Sequence, residues 1–184
     1  MTARERKIAR LKRLVAEINE DLRVVERIKE RAIILLKEVN AKTGPVPDDD
    51  LMAMAGYLHH FYTGIETVFD RISRQIDGGP EKGADWHRDL LRSMAVELAG
   101  LRPPVISPEL RDELDEYRRF RHLFRHAYAS ELRWSKMSHL AENMADILDL
   151  LKKRVQEFEA FIGTLIGELE PAERSPRSGK DAGQ

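Results

Sequence analysis

Apolar residues recur every three or four positions along most of the chain, and that period predicts helices. In the first segment Ile8, Leu11, Val15, Ile18, Leu22, Val25, Ile28, Ala32, Leu36 and Val39 share one stripe. Sustained over that length, the pattern predicts one long amphipathic helix, close to a heptad seam. TGPVPDDD (43–50) stops it, because Gly44 offers a C-terminal cap and two prolines forbid continuation. The aspartates at 48–50 then favour a new helix start, through capping and the helix dipole. The second stripe is Leu51, Ala55, Leu58, Tyr62, Ile65, Phe69, Ile72 and Ile76, closed by the turn residues of DGGPEKGAD (77–85).

A third, shorter helix is expected over WHRDLLRSMAVEL (86–98), with Trp86, Leu90, Leu91, Met94 and Leu98 inward. AGLRPPVISPEL (99–110) reads as a loop that ends in a start signal: Ser107 as N-cap, Pro108 at the first helical position, Glu109 in the first turn. The last stripe runs Leu140, Met144, Leu148, Leu151, Val155, Phe158, Ile162, Leu165 and Leu169, and Pro171 closes it. No window alternates as a strand would. The expectation is an all-α antiparallel bundle of about four to five helices with long first and last members. Residues 1–170 read as one helical domain, and the polar segment 171–184 as a disordered tail.

Composition narrows the chemistry. At 184 residues, 42% hydrophobic and 34% charged, the chain can bury a real core without covalent staples. It contains no cysteine, which removes disulfides, thiolate metal sites and a cysteine nucleophile. The start, MTARERKIARLKRL, lacks the apolar stretch of a secretory signal, and no apolar run approaches a membrane span. A soluble cytoplasmic protein without a membrane partner is therefore expected. The net charge of −1 conceals local asymmetry: residues 1–13 carry Arg4, Arg6, Lys7, Arg10, Lys12 and Arg13 against Glu5 alone. Between Glu116 and Glu131 there is no acid, yet Arg118, Arg119, Arg121 and Arg125 occur there. A polyanion would be drawn to both patches, although the first reads foremost as a solvated helix face.

The stretch RFRHLFRHAY (119–128) is the anomaly. The apolar stripe of the fourth helix reads Leu110, Leu114, Tyr117, then Arg121, then Phe124, so a guanidinium falls where a core residue belongs. Buried, it needs an anion or hydrogen-bond acceptors. Three explanations stand at this level: pairing with an internal carboxylate, of which Glu66 is the best candidate; a subunit interface; or a cleft that receives a phosphate. His126 lies five residues on, about 140° round an ideal helix. Convergence of the two on one ligand requires the helix to end or distort near 125–128, or a second copy to complete the site across a dimer axis. Zinc is a poor reading of the His122/His126 pair. HLFRH places Leu123 where a zinc protease needs its Glu, and Arg121 and Arg125 would repel a cation.

These residues resemble a known family. RHLFRHAY (121–128) matches an R-x4-H-x-Y motif: Arg121, four residues, His126, one residue, Tyr128. The polar His122 behind the arginine fits as well. With HHFYTGIETVFDRI (59–72), WHRDLL, RPPVISPEL and DEYRRFRHLFRHAY in that order, the chain is similar to the HepT-like toxins of the HEPN superfamily, best over roughly residues 50–150. The resemblance implies a metal-independent endoribonuclease without a cofactor. It further implies the toxin of a prokaryotic toxin–antitoxin pair, with RNA as substrate and a small nucleotidyltransferase antitoxin as partner. Two copies would dimerise around a shared groove. His126 would be the general base on the ribose 2′-OH, Arg121 the stabiliser of phosphorane charge, and Tyr128 the acceptor of AMP from the antitoxin. His122, Arg125 and Arg118 are expected near the RNA, and Glu66 as a support for Arg121. The chain is longer than a minimal four-helix member, mostly through its first helix. The alternative reading is a non-catalytic module that binds the nucleotidyltransferase and is its modification target.

Overall fold

The computed structural model describes residues 1–79, 83–126 and 132–170, and they form five α-helices. These are α1 (Ala3–Ala41), α2 (Asp48–Ile72), α3 (Trp86–Met94), α4 (Pro108–His126) and α5 (Ser138–Leu169). The tail at 171–184 lies outside the described residues. None of the described helices is long and apolar enough to cross a membrane.

Local chemistry sets the helix starts. Thr2 and Glu5 form a capping box at α1, the Thr2 hydroxyl accepting from the Glu5 amide at 3.1 Å and the Glu5 carboxylate from the Thr2 amide at 2.7 Å. At α4 the Ser107 hydroxyl accepts from the Leu110 amide at 3.2 Å, with Pro108 behind it. The expected side-chain cap of α2 is absent. Pro47 holds the cap position, so Asp48–Asp50 act on the first turn through the dipole alone, and Asp50 takes Lys42 at 2.8 Å.

The central member is α2, which packs against α1, α3, α4 and α5 and buries a wide arc from Met54 to Ile72. α1 runs antiparallel to it, with Arg71 late in α2 reaching Asp21 at 2.5 Å and Glu17 at 2.9 Å early in α1. The two helices approach so closely at Gly64 that a Cβ there would stand 2.5 Å from Val25 Cγ2. Opposite, α5 is zipped antiparallel to α1 by Asn19–Glu159 at 2.7 Å and by the Lys152–Glu26 pair. The long first helix thus extends the bundle, burying Leu11, Leu14, Ile18, Leu22, Val25, Ala32 and Val39. Each large apolar side chain so buried contributes about 1.5–3 kcal/mol.

The third helix is shorter than its apolar pattern suggests. It ends at Met94, and Leu98 lies outside it, half-buried, in an isolated antiparallel bridge with Arg102. The chain turns back because the Met94 carbonyl accepts from the amides of Val105 (2.8 Å) and Ile106 (3.2 Å). Gly100, at φ +73°, makes the bend between Leu98 and Arg102. A clamp around the fully buried Arg102 side chain holds this turn. The Arg102 guanidinium grips Asp77 with two bonds, at 2.7 and 2.8 Å, and donates to the carbonyls of Ser93, Val96 and Pro103. Asp77 ends a π turn (Ser73–Asp77) that continues α2. Nothing in the loop's sequence distinguishes Arg102 from a surface arginine.

Candidate active site at the end of the fourth helix

The stripe of α4 buries Leu110, Leu114, Tyr117 and Phe120, with the Tyr117 hydroxyl donating to the Leu140 carbonyl at 2.7 Å. Burial of that ring pushes the Tyr117 hydroxyl well above its ordinary range. One turn beyond, Arg121 turns inward against α2, its side chain 11% exposed. Its Nε donates to the Thr63 hydroxyl at 3.2 Å, and Nη2 stands 3.4 Å from Glu66 Oε2. Glu66 is itself buried, and its other oxygen is 2.6 Å from His87 Nδ1 on α3. The Trp86 ring lies against His87, with centroids 3.8 Å apart. Three helices therefore meet at one carboxylate, which holds the guanidinium from below. The Glu66 contact is longer than a hydrogen bond, and Nη1 has no partner among the described residues.

His59 and Tyr62 complete the inner wall. The His59 ring packs 5.4 Å from Phe124. Burial, then the nearby charge of His60, Arg121 and Arg125, holds His59 below the ordinary histidine range. Tyr62 is fully buried, and its hydroxyl has no partner among the described residues. Burial and the neighbouring Glu66 carboxylate push that hydroxyl well up.

The other sequence-derived candidates divide into three groups. His122, Arg125 and His126 are exposed on the last turn of α4, the two imidazoles 4.9 Å apart, with Leu123 exposed between them. The described helix is regular as far as His126, so Arg121 and His126 stay on different faces of it, about 140° apart. Tyr128 lies outside the described residues. Arg118 and Arg119 find an acid that the stretch itself lacks: Asp115, one turn back, at 2.6 and 2.7 Å. Burial acts to raise the Asp115 carboxyl, but the two arginines outweigh it and hold it below its ordinary value. That pairing aims Arg118 at the groove between α3 and α4, among Arg88, Arg92 and Arg111.

The basic N-terminal cluster splits as well. Arg4 donates to the last carbonyls of α5, Lys12 pairs with Glu170 at 3.2 Å, and Arg13 stands 4.0 Å from Glu17. Thr63 and His87 had no signal in the sequence as site residues, since only the packing of α2, α3 and α4 brings them to Arg121 and Glu66.

Compared with known proteins, residues 53–162 match the sequence profile of a family described as HepT-like protein. The match runs from early in α2 through most of α5 and includes Thr63, Glu66, His87, Arg121 and His126. No curated protein and no solved structure matches the chain.

Proposed function

The chain belongs to the HepT-like protein family of the HEPN superfamily, and from that premise we propose that it is a metal-independent endoribonuclease, the toxin of a prokaryotic toxin–antitoxin pair. The observation that carries the reading is Arg121. It is fixed by Thr63 and the buried Glu66, yet retains guanidinium N–H groups with no partner among the described residues. A preorganised, partly desolvated guanidinium suits a phosphate whose charge grows in the transition state. Exposed His126 is the general base that takes the proton of a ribose 2′-OH. That hydroxyl attacks the adjacent phosphorus, the 5′-oxygen of the next nucleotide leaves, and a 2′,3′-cyclic phosphate results. DNA has no such hydroxyl and is spared.

Because Arg121 and His126 leave α4 on different faces, a dimer in which each copy completes the other's site fits the chemistry better than one chain alone. Exposed Leu123, set among His122, Arg125 and His126, supports a contact at this end of the bundle. His122 and Arg125 are the residues assigned to RNA phosphates. The proposed partner is a nucleotidyltransferase antitoxin that transfers AMP to Tyr128, adding negative charge beside the RNA groove. The reading is tested by incubating the purified chain with total RNA in EDTA beside His126→Ala. Cleavage by the wild type alone, leaving 2′,3′-cyclic ends, is expected. Intact RNA with a folded chain that gains one AMP from its partner would instead establish a non-catalytic modification target.

A further inference from the structure

A concave site lies just beyond the C-terminal end of α2. A cavity of about 530 Å³ opens between the first turns of α1, the π turn after α2, the Gly100 bend and the end of α5. Glu66, which holds Arg121, precedes Ile76 in this cavity by ten residues, about 15 Å along a helix axis. The cavity walls are aliphatic, formed by Ile76, Leu101 and Leu165, and Leu101 is 44% exposed. Its rim is cationic, formed by Arg6, Lys7 and Arg10.

Three observations describe the site. First, Arg4, Lys12 and Arg13 all have partners, whereas Arg6, Lys7 and Arg10 make no ion pair among the described residues. Arg6 and Arg10 stand at i, i+4, and Lys7 and Arg10 at i, i+3, so their mutual repulsion weakens the helix unless an anion offsets it. Second, one wall is a fixed helix end: α2 closes in a π turn capped by Gly78 in the left-handed conformation at φ +90°, and this turn carries Ile76. Third, both walls are pinned by the same clamp. Asp77 ends the π turn that carries Ile76, Arg102 directly follows Leu101, and the two are joined by the buried bidentate pair. The cavity is thus held open by structure independent of any occupant, and its volume is that of a small-molecule site.

We infer that this cavity binds a small organic anion with an acyl-sized apolar body, its head on Arg6, Lys7 and Arg10 and its chain against Ile76, Leu101 and Leu165. Aliphatic walls without an aromatic ring favour a flexible hydrocarbon chain over a stacked base. The cationic rim selects a carboxylate or phosphate head.

Isothermal titration calorimetry of the full-length chain tests this with decanoate as the probe. Saturable binding at one site is expected. Butyrate has the head without the chain and decyltrimethylammonium the chain with the opposite charge, so each should bind at least about tenfold more weakly. The double variant Arg6→Glu/Arg10→Glu should weaken decanoate by at least about tenfold while helical circular dichroism is unchanged. Absence of decanoate heat below its micelle concentration overturns the proposal, and so does equal affinity for butyrate or decyltrimethylammonium. AMP binding as tightly as decanoate overturns the acyl assignment. These wild-type comparisons decide the matter even if the double variant fails to fold.

Discussion

Arg102 and Arg121 are both drawn into the bundle, and among the described residues only Arg102 has its hydrogen-bonding capacity filled. Arg102 lies fully buried, bidentate on Asp77, with its other groups on the carbonyls of Ser93, Val96 and Pro103. Arg121 keeps an exposed edge, one bond to Thr63 and a loose approach to Glu66. Both are paired arginines among apolar residues, so burial and pairing do not separate structure from chemistry here. The difference lies in the donors left over. A saturated guanidinium has no donor left for a ligand, while one with N–H groups to give is free to take one.

The widest gap between the two clusters should appear on removing their acids. Asp77→Ala leaves a buried, uncompensated guanidinium and should cost about 3–5 kcal/mol of stability in urea unfolding. Glu66→Ala should cost less, about 1–2 kcal/mol, because Arg121 can move its charge to its exposed edge. RNA cleavage by the folded Glu66→Ala protein should nevertheless fall, since the guanidinium is no longer aimed. Equal stability losses for the two variants would remove the distinction.

The close approach behind Thr63 sharpens the same contrast. Gly64→Ala improves helix propensity by roughly 1 kcal/mol but drives a methyl into Val25, 2.5 Å away. Overpacking of about 1–3 kcal/mol wins, so net destabilisation of about 1 kcal/mol is expected in urea unfolding. Thr63 and Glu66 should shift with the backbone, so cleavage should fall more than stability does.

The smallest effect is a pH dependence carried by His59, whose native pKa is depressed by burial and then by its cationic neighbours. In the window below the ordinary value of about 6.5 the unfolded chain takes the proton first. Stability contributed by neutral His59 is therefore present above that value and is lost as pH falls towards the depressed native one. Unfolding free energies at several pH values should decline less steeply for His59→Gln than for the wild type. Parallel profiles would remove His59 as the source.

The helices were legible because a period near 3.6 survives in their apolar stripes, and so was the inward position of Arg121, an exception on such a stripe. Phe120 was not: following the stripe through Arg121 passes it by, yet it is buried beside Tyr117. The end of α3 was illegible for a different reason. Leu98 continues the apolar pattern, but the Val105 and Ile106 amides take the Met94 carbonyl, and such a competition cannot be read from periodicity. Arg102 and His87 were hidden because their partners, Asp77 and Glu66, come from other segments that only the packed bundle brings close. One pairing was also hidden at the start of the basic stretch, since Asp115 lies one turn before it and serves both Arg118 and Arg119.

The most direct test of the difference between the two arginines is Arg121→Gln, followed by urea unfolding and single-turnover cleavage of RNA in EDTA. The expected result is stability within about 1 kcal/mol of the wild type, with cleavage slowed by about 10²–10³-fold. A loss of several kcal/mol, with the remaining folded protein cleaving at the wild-type rate, would make Arg121 a second Arg102 and contradict its assignment to phosphate.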